Sequence, residues 1–461
     1  MRPTDHRVLF NGDCNFLFGS DYRPPGERHG PYTAKVLDDY VDLLADNGVD
    51  TFVINASGQV PWYPSRNLPS VLSGYTRGDR AFGRPHCPPL SDNFTQEQLD
   101  LRLDGQVVML DRLLDLAEAG VDWVARLAVR CREREISPWV SLRMNDGHGA
   151  NSWAGSYFNA PPQKKPDNRL SGIRLDPRRG IDEKMQLTNY EHAEVRDFYL
   201  GLARELIEDY DFDGIELDWM REPVCCEPPA SQETIDVMTA WHGEIRALAR
   251  QRSTTSGEPF FVGMRIPGRL GVFRTVGIDV AELARQDLID FVEPTNTWQT
   301  TWDVPYDRMR AELGDSVAIY GVIEDAPNWM FCRSDDGDLE GYRRLSCSRN
   351  SCAATPPASS QRAPTASPCS TSSAPTTRAP SAPTSLAPRA MTRSPALPIS
   401  TVCEVGPSIT VCRRAAIAGR RVSSNVPSSC PPTWNRAAGT HSYSAPPPSR
   451  PSADGRSWYR W

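Results

Sequence analysis

Short apolar runs alternate with amphipathic stretches through the first three quarters of the chain. Val8-Leu9-Phe10 opens as a strand, and Val36, Tyr40, Val41, Leu43 and Leu44 then recur at helical intervals over residues 32–47 until Gly48 interrupts them. The same alternation predicts strands at 51–55, 139–145, 214–219, 260–266, 288–293 and 317–324. The helices between them fall at 104–119 and 121–134 (broken by Gly120), 191–210, 231–252, 280–286 and 306–313. A repeated strand–helix order predicts an α/β chain with a parallel sheet, and seven such units in one series favour a closed (β/α)8 TIM barrel over a doubly wound sheet. An eighth helix starts at residues 338–344, but the amphipathic pattern stops there. The expectation is an incomplete barrel over residues 1–344, its eighth unit missing, followed by a disordered tail over 345–461.

Composition sharpens that boundary. From Ser351 onward there are 12 Arg, no Lys, and only Glu404 and Asp454 as acids, so this stretch carries +10 against −17 for the 350 residues before it. It also holds 18 of the 41 Pro, with Ser, Thr and Ala filling most of the remainder, and so few large apolar groups do not offset the entropy of ordering a chain. Either this is a natural low-complexity tail or, with 47 Arg against four Lys overall, it is what a GC-rich gene yields when read in a shifted frame. Residues 408–411 (Ser-Ile-Thr-Val) are its best candidate strand.

The net charge of −7 argues against nucleic acid and anionic membranes as partners. No apolar run approaches the roughly 20 residues of a membrane span, and no leader pattern follows Met1, so a cytoplasmic location is expected. The 12 cysteines include no CxxC pair, and the adjacent Cys225 and Cys226 lack the spacing zinc sites use. Neither a metal nor a cofactor is expected, and no P-loop, GxGxxG or HExxH motif is present.

Side chains alternate along a strand, so once the apolar set faces the helices the remaining set fills the lumen. Ile215 and Leu217 turn outward, which sends Glu216 and Asp218 inward. Val140, Leu142 and Met144 send Ser141, Arg143 and Asn145 inward, and Val262, Met264 and Ile266 do the same for Arg265. Arg143 and Arg265 are therefore expected to bracket Glu216, either as a locked structural ion network or as part of the chemistry. Asp218 lies one inward step nearer the C-terminal rim, where barrel enzymes keep their active sites. Glu293 and Glu324 end their strands at the same rim, and Asn11, Asp13, Asn55, Asp146 and His148 complete a polar ring. Trp62, Tyr63, Trp153, Tyr157, Trp219, Trp298, Trp302 and Trp329 follow strand ends and are expected to line the mouth, where aromatic faces stack on sugar rings.

The run 211–221, Asp-Phe-Asp-Gly-Ile-Glu-Leu-Asp-Trp-Met-Arg, with Tyr-Glu-His-Ala-Glu-Val-Arg at 190–196 and Ser-Leu-Arg-Met-Asn-Asp at 141–146, resembles bacterial glycoside-hydrolase-like TIM barrels of the family 10-type. The resemblance covers about residues 8–344. The same strand is similar to the fourth strand of α-amylase-type barrels, and that similarity implies a nucleophile at Asp218. Arg265 stands on the fifth strand where those enzymes carry their acid, so the proton donor is sought in Glu293 or Glu324. The resulting expectation is a glycoside hydrolase that acts on O-glycosidic bonds with two carboxyl groups. Its substrate is a carbohydrate, oriented by Asn11, Asp13, Asn55, Arg143, Asn145, Asp146, His148, Glu216, Arg265, Trp219 and Trp298. The alternative is a non-catalytic carbohydrate-binding barrel, and loss of the last unit would remove one wall of the pocket in either case.

Overall fold

The computed structural model describes residues 5–13, 16–20, 30–87, 90–91, 95–147, 156–171, 173–174, 184–185, 187–295, 304–323 and 409–413. Seven parallel strands follow one another around a curled sheet: β1 (Val8–Gly12), β2 (Thr51–Asn55), β3 (Ser137–Arg143), β4 (Gly214–Asp218), β5 (Phe261–Pro267), β6 (Phe291–Thr295) and β7 (Ala318–Ile323). Each lies within about three residues of its predicted position. The connecting helices are α1 (Ala34–Ala45), α2 (Gln96–Glu118), α3 (Trp123–Glu133), α4 (Ala193–Asp209), α5 (Gln232–Ser256), α6 (Leu270–Thr275), α7 (Val280–Arg285) and α8 (Tyr306–Leu313). The sequence pattern missed the short α6, the one-turn helix Arg80–Gly83 and the small antiparallel pair of Ile173–Arg174 with Lys184–Met185. Among the described residues no helix is long and apolar enough to cross a membrane.

Local chemistry starts and stops the longer helices. Thr95 accepts from Gln98 N–H while the Gln98 side chain accepts from Thr95 N–H, which satisfies two otherwise orphaned donors at the start of α2. Asp122 and Ser231 cap α3 and α5 in the same sense. Gly257 ends α5 at φ +77°, a left-handed conformation that favours glycine. Between α1 and α3 runs a ladder of ion pairs: Asp38–Arg126 at 2.6 Å, Asp42–Arg130 at 2.7 Å and Asp46–Arg134 at 2.7 Å, with one constant separation of 88 residues.

One expectation needs correcting. The eighth strand position is occupied, because the backbone of β8 (Ile409–Arg413) runs parallel between β7 and β1 and closes the ring. Its register places Val411 opposite Val8 on one side and Gly321 on the other. The physical reason is that β1 and β7 each present a row of unpaired backbone donors and acceptors, and Ile409, Thr410 and Val411 form a β-branched segment suited to pairing with both. The predicted start of an eighth helix at 338–344, and the rest of the tail, lie outside the described residues.

Two apolar regions sit on either side of the strands. The larger is the layer between strands and helices, and it includes Val140, Leu142, Ile215, Leu217, Val262 and Met264, as the alternation requires. The smaller fills the lumen with Leu9, Val53, Trp139, Phe261, Phe291, Ala318 and Tyr320. Gly263 makes this inner plug possible. A Cβ built there would fall 2.2 Å from the Phe291 ring, and that ring is held by Trp139 at 4.6 Å and Tyr320 at 5.7 Å between centroids. Gly263→Ala should therefore lower stability by about 1–3 kcal/mol through overpacking. The midpoint of urea unfolding reads this directly, and a midpoint equal to that of the unsubstituted chain would mean that the ring has room to withdraw.

Candidate active site

Strand register sets acids and bases side by side at the C-terminal end of the lumen. Arg143 on β3 stands opposite Asp218 on β4, Asp218 opposite Arg265 on β5, and Arg265 opposite Glu293 on β6. Four adjacent strands thus carry one level of alternating charge. All four side chains share the inward parity, and Arg143, Asp218 and Glu293 are buried. One step down, Ser141 on β3 stands opposite Glu216 on β4, and Glu216 opposite Gly263.

Glu216 has no exposed surface. Asn11 donates to both of its carboxylate oxygens at 3.0 Å, and the Ser141 hydroxyl donates to Oε1 at 2.6 Å. Burial pushes its carboxyl above the usual carboxylate range, and the charge of Asp218 acts in the same direction. The neighbouring Glu293 carboxyl, the charge of Arg265 and the Ser141 hydroxyl oppose that shift.

The hydrogen bonds on Glu216 correct the expected bracket by two guanidiniums. Arg143 instead reaches Asp13 at 2.6 Å and Asp146 at 3.2 Å, and Arg265 Nη1 stands 3.5 Å from Asp218 Oδ2. Both arginines occupy the upper level, so their long side chains meet the acids of the rim, while Asn11 and Ser141 lie close to Glu216. Asp218 Oδ1 also accepts the Met220 N–H at 2.9 Å.

The loops above the strands add charges that sequence reasoning passed over. Arg221 is buried with its Nε 4.0 Å from Asp146 Oδ2, and Glu222 accepts the Gly147 N–H at 2.8 Å. Burial lowers the Arg221 pKa, as does the like charge of Arg143, while Asp146, Glu222 and Asp13 raise it. The signal for both residues was an Arg-Glu pair that begins three residues beyond the end of β4, a strand that already carried two inward acids. Asn145 serves as a brace, its amide donating to the carbonyls of Thr188 and Val224 and its Oδ1 accepting the Thr188 N–H at 3.2 Å. Asn55 is buried at the end of β2.

The aromatic rim is the part of the sequence reading that the described residues do not reproduce. Trp219 is wholly buried on the helical side, with ring centroids 5.1 Å from Tyr190 and 6.2 Å from Phe273. It shares the outward parity of Ile215 and Leu217, which sets it apart from the site. Trp62 and Tyr63 are also buried, against Phe158 and Tyr210. Glu324, His148 and Trp298, together with Trp153, Trp302 and Trp329, lie outside the described residues.

No protein-family model and no curated protein matches this chain. Among solved structures it is similar to α-L-fucosidase isoenzyme 2 from Paenibacillus thiaminolyticus (TM-score 0.38, 12% identity, 74% of this chain and 42% of that one). It is also similar to a Paenibacillus sp. cycloisomaltooligosaccharide glucanotransferase (TM-score 0.35, 11% identity, 69% and 38%) and to an α-amylase from Malbranchea cinnamomea (TM-score 0.35, 13% identity, 70% and 62%). The chain therefore spans between about two fifths and three fifths of the length of these proteins, and likeness this distant assigns no activity.

The raised pKa of Glu216 makes a prediction with a definite sign. A carboxyl whose folded pKa lies above its unfolded value stabilises the fold at pH below the ordinary carboxylate range. That contribution is lost as pH rises through the raised value. Glu216→Gln keeps an acceptor for Asn11 and Ser141 but can never ionise, so it should be more stable than the unsubstituted chain at pH 8, with the difference shrinking toward pH 4. Denaturant unfolding at both pH values checks this, and a variant that is less stable at pH 8 would show that the ionised carboxylate is the form the site requires.

Proposed function

We propose that this barrel cleaves O-glycosidic bonds, with Asp218 as the nucleophile or base. The observation that carries the reading is the level of alternating charge at the C-terminal end of the strands, where barrel active sites are found. Asp218 is oriented there by the Met220 N–H on one oxygen and faces the Arg265 guanidinium with the other. Those donors hold the carboxylate in one rotamer, which aims its remaining lone pairs at a substrate in the mouth. The proton donor is Glu293 or Glu324. Glu293 has the stronger support, because it is buried on the inward face and stands opposite Arg265, level with Asp218. Asn11 and Ser141 hold Glu216 in the layer below, while Arg143, Asp13 and Asp146 fix the neighbouring wall.

Burial supports a second reading. Asp218 is only 4% exposed and Glu293 has no exposed surface, so little of either carboxyl is open to a sugar. A non-catalytic carbohydrate-binding barrel needs no such access.

Turnover of a panel of aryl glycosides separates the two. Asp218→Asn should lower kcat at least about a thousandfold with little change in sugar binding. Glu293→Gln should slow glycosides with poor leaving groups far more than nitrophenyl glycosides, since only the former need a proton on the departing oxygen. Unchanged turnover in Asp218→Asn would remove that residue from the chemistry, and sugar binding without turnover of any glycoside would leave the non-catalytic barrel.

A further inference from the structure

Beside the barrel mouth, the segment that follows β2 and the segment that follows β3 enclose a cleft of about 280 Å³. Its chemistry is unlike that of the mouth, because no acid lines it among the described residues. Val60, Pro85 and the stacked rings of Phe82 and Tyr157, 5.0 Å apart and inclined by 25°, form its apolar walls. The hydroxyls of Ser70 and Ser73, the amide of Asn159 and the ammonium of Lys164 supply its polar groups.

One of these polar groups is uncommitted. Lys164 makes no ion pair among the described residues, although the adjacent Lys165 is held by Glu194.

We infer that this cleft is a binding site for a single sugar ring carrying a carboxylate, a hexuronate. The volume is at the small end for ligand clefts and suits one ring. Apolar C–H faces of a pyranose pack on aromatic side chains, and its hydroxyls match Ser70, Ser73 and Asn159. The carboxylate takes the Lys164 ammonium, a charge-assisted bond that a neutral sugar does not make. The site is also close to the mouth: Asn159 donates to Gln59 Oε1 at 3.4 Å, and Gln59 Nε2 donates to the Asp146 carbonyl at 2.6 Å. The inference concerns binding alone and does not depend on what Asp218 does.

The test is calorimetric titration of the full chain with D-glucuronate, D-glucose and benzoate. Glucuronate should bind at one site, more tightly than either of the others, and Lys164→Gln should weaken it at least about tenfold, the scale of one charge-assisted hydrogen bond. Glucose binding as tightly as glucuronate would overturn the carboxylate assignment, and benzoate binding more tightly would overturn the sugar. An affinity unchanged by Lys164→Gln would show that glucuronate binds elsewhere on the chain.

Discussion

A carboxyl group with no access to water must find donors, a countercharge or a proton, and the upper half of this barrel is organised by that requirement. Glu216 draws on the first two and is pushed toward the third: Asn11 and Ser141 donate to it, Arg265 offsets its charge, and burial raises its affinity for a proton. Parallel strands in register place neighbouring residues at one height, so the remaining acids and bases meet across the strands. Such a set is stable only as a set. Removing one member leaves its neighbour buried without compensation, which in proteins typically costs about 3–5 kcal/mol.

This requirement also explains why part of the site was readable in the sequence. On β4 the pattern Ile215-Glu216-Leu217-Asp218 has one apolar and one acidic face, and no arrangement other than acids inward satisfies both the helices and the lumen. Arg143 and Arg265 follow from the same alternation on β3 and β5. The partners were less legible. Arg143 meets Asp13 and Asp146, which come from loop positions where period-two reasoning has nothing to say. Trp219 shows the opposite failure: its distance along the chain suggested the rim, but its parity with Leu217 decided the outcome. The tail strand at 409–413 carried a visible β-branched signal, yet its place in the ring depended on two edges far away in sequence.

The plug beneath the charged level matters as much as the charges. Trp139, Phe261 and Phe291 fill the lumen from below, so the acids above them rest on an apolar floor rather than on water. A dry floor strengthens every electrostatic contact over it and raises the cost of any that is left incomplete. The side cleft differs in kind, with prolines and rings for walls and a lysine at its edge.

The ladder between α1 and α3 has a property that its individual distances conceal. Because acids and arginines both repeat every four residues, one helix slid along the other by a single turn would still form two of the three pairs, and Asp42 already contacts Arg134 as well as Arg130. Charge therefore draws these helices together without distinguishing the right docking from its nearest neighbour. That distinction falls to shape, in the apolar faces around Leu37, Tyr40, Leu44, Leu127 and Cys131, which fit in one position only. The periodic pairing acts as a vernier with coarse marks, forgiving during assembly, and the core supplies the fine adjustment.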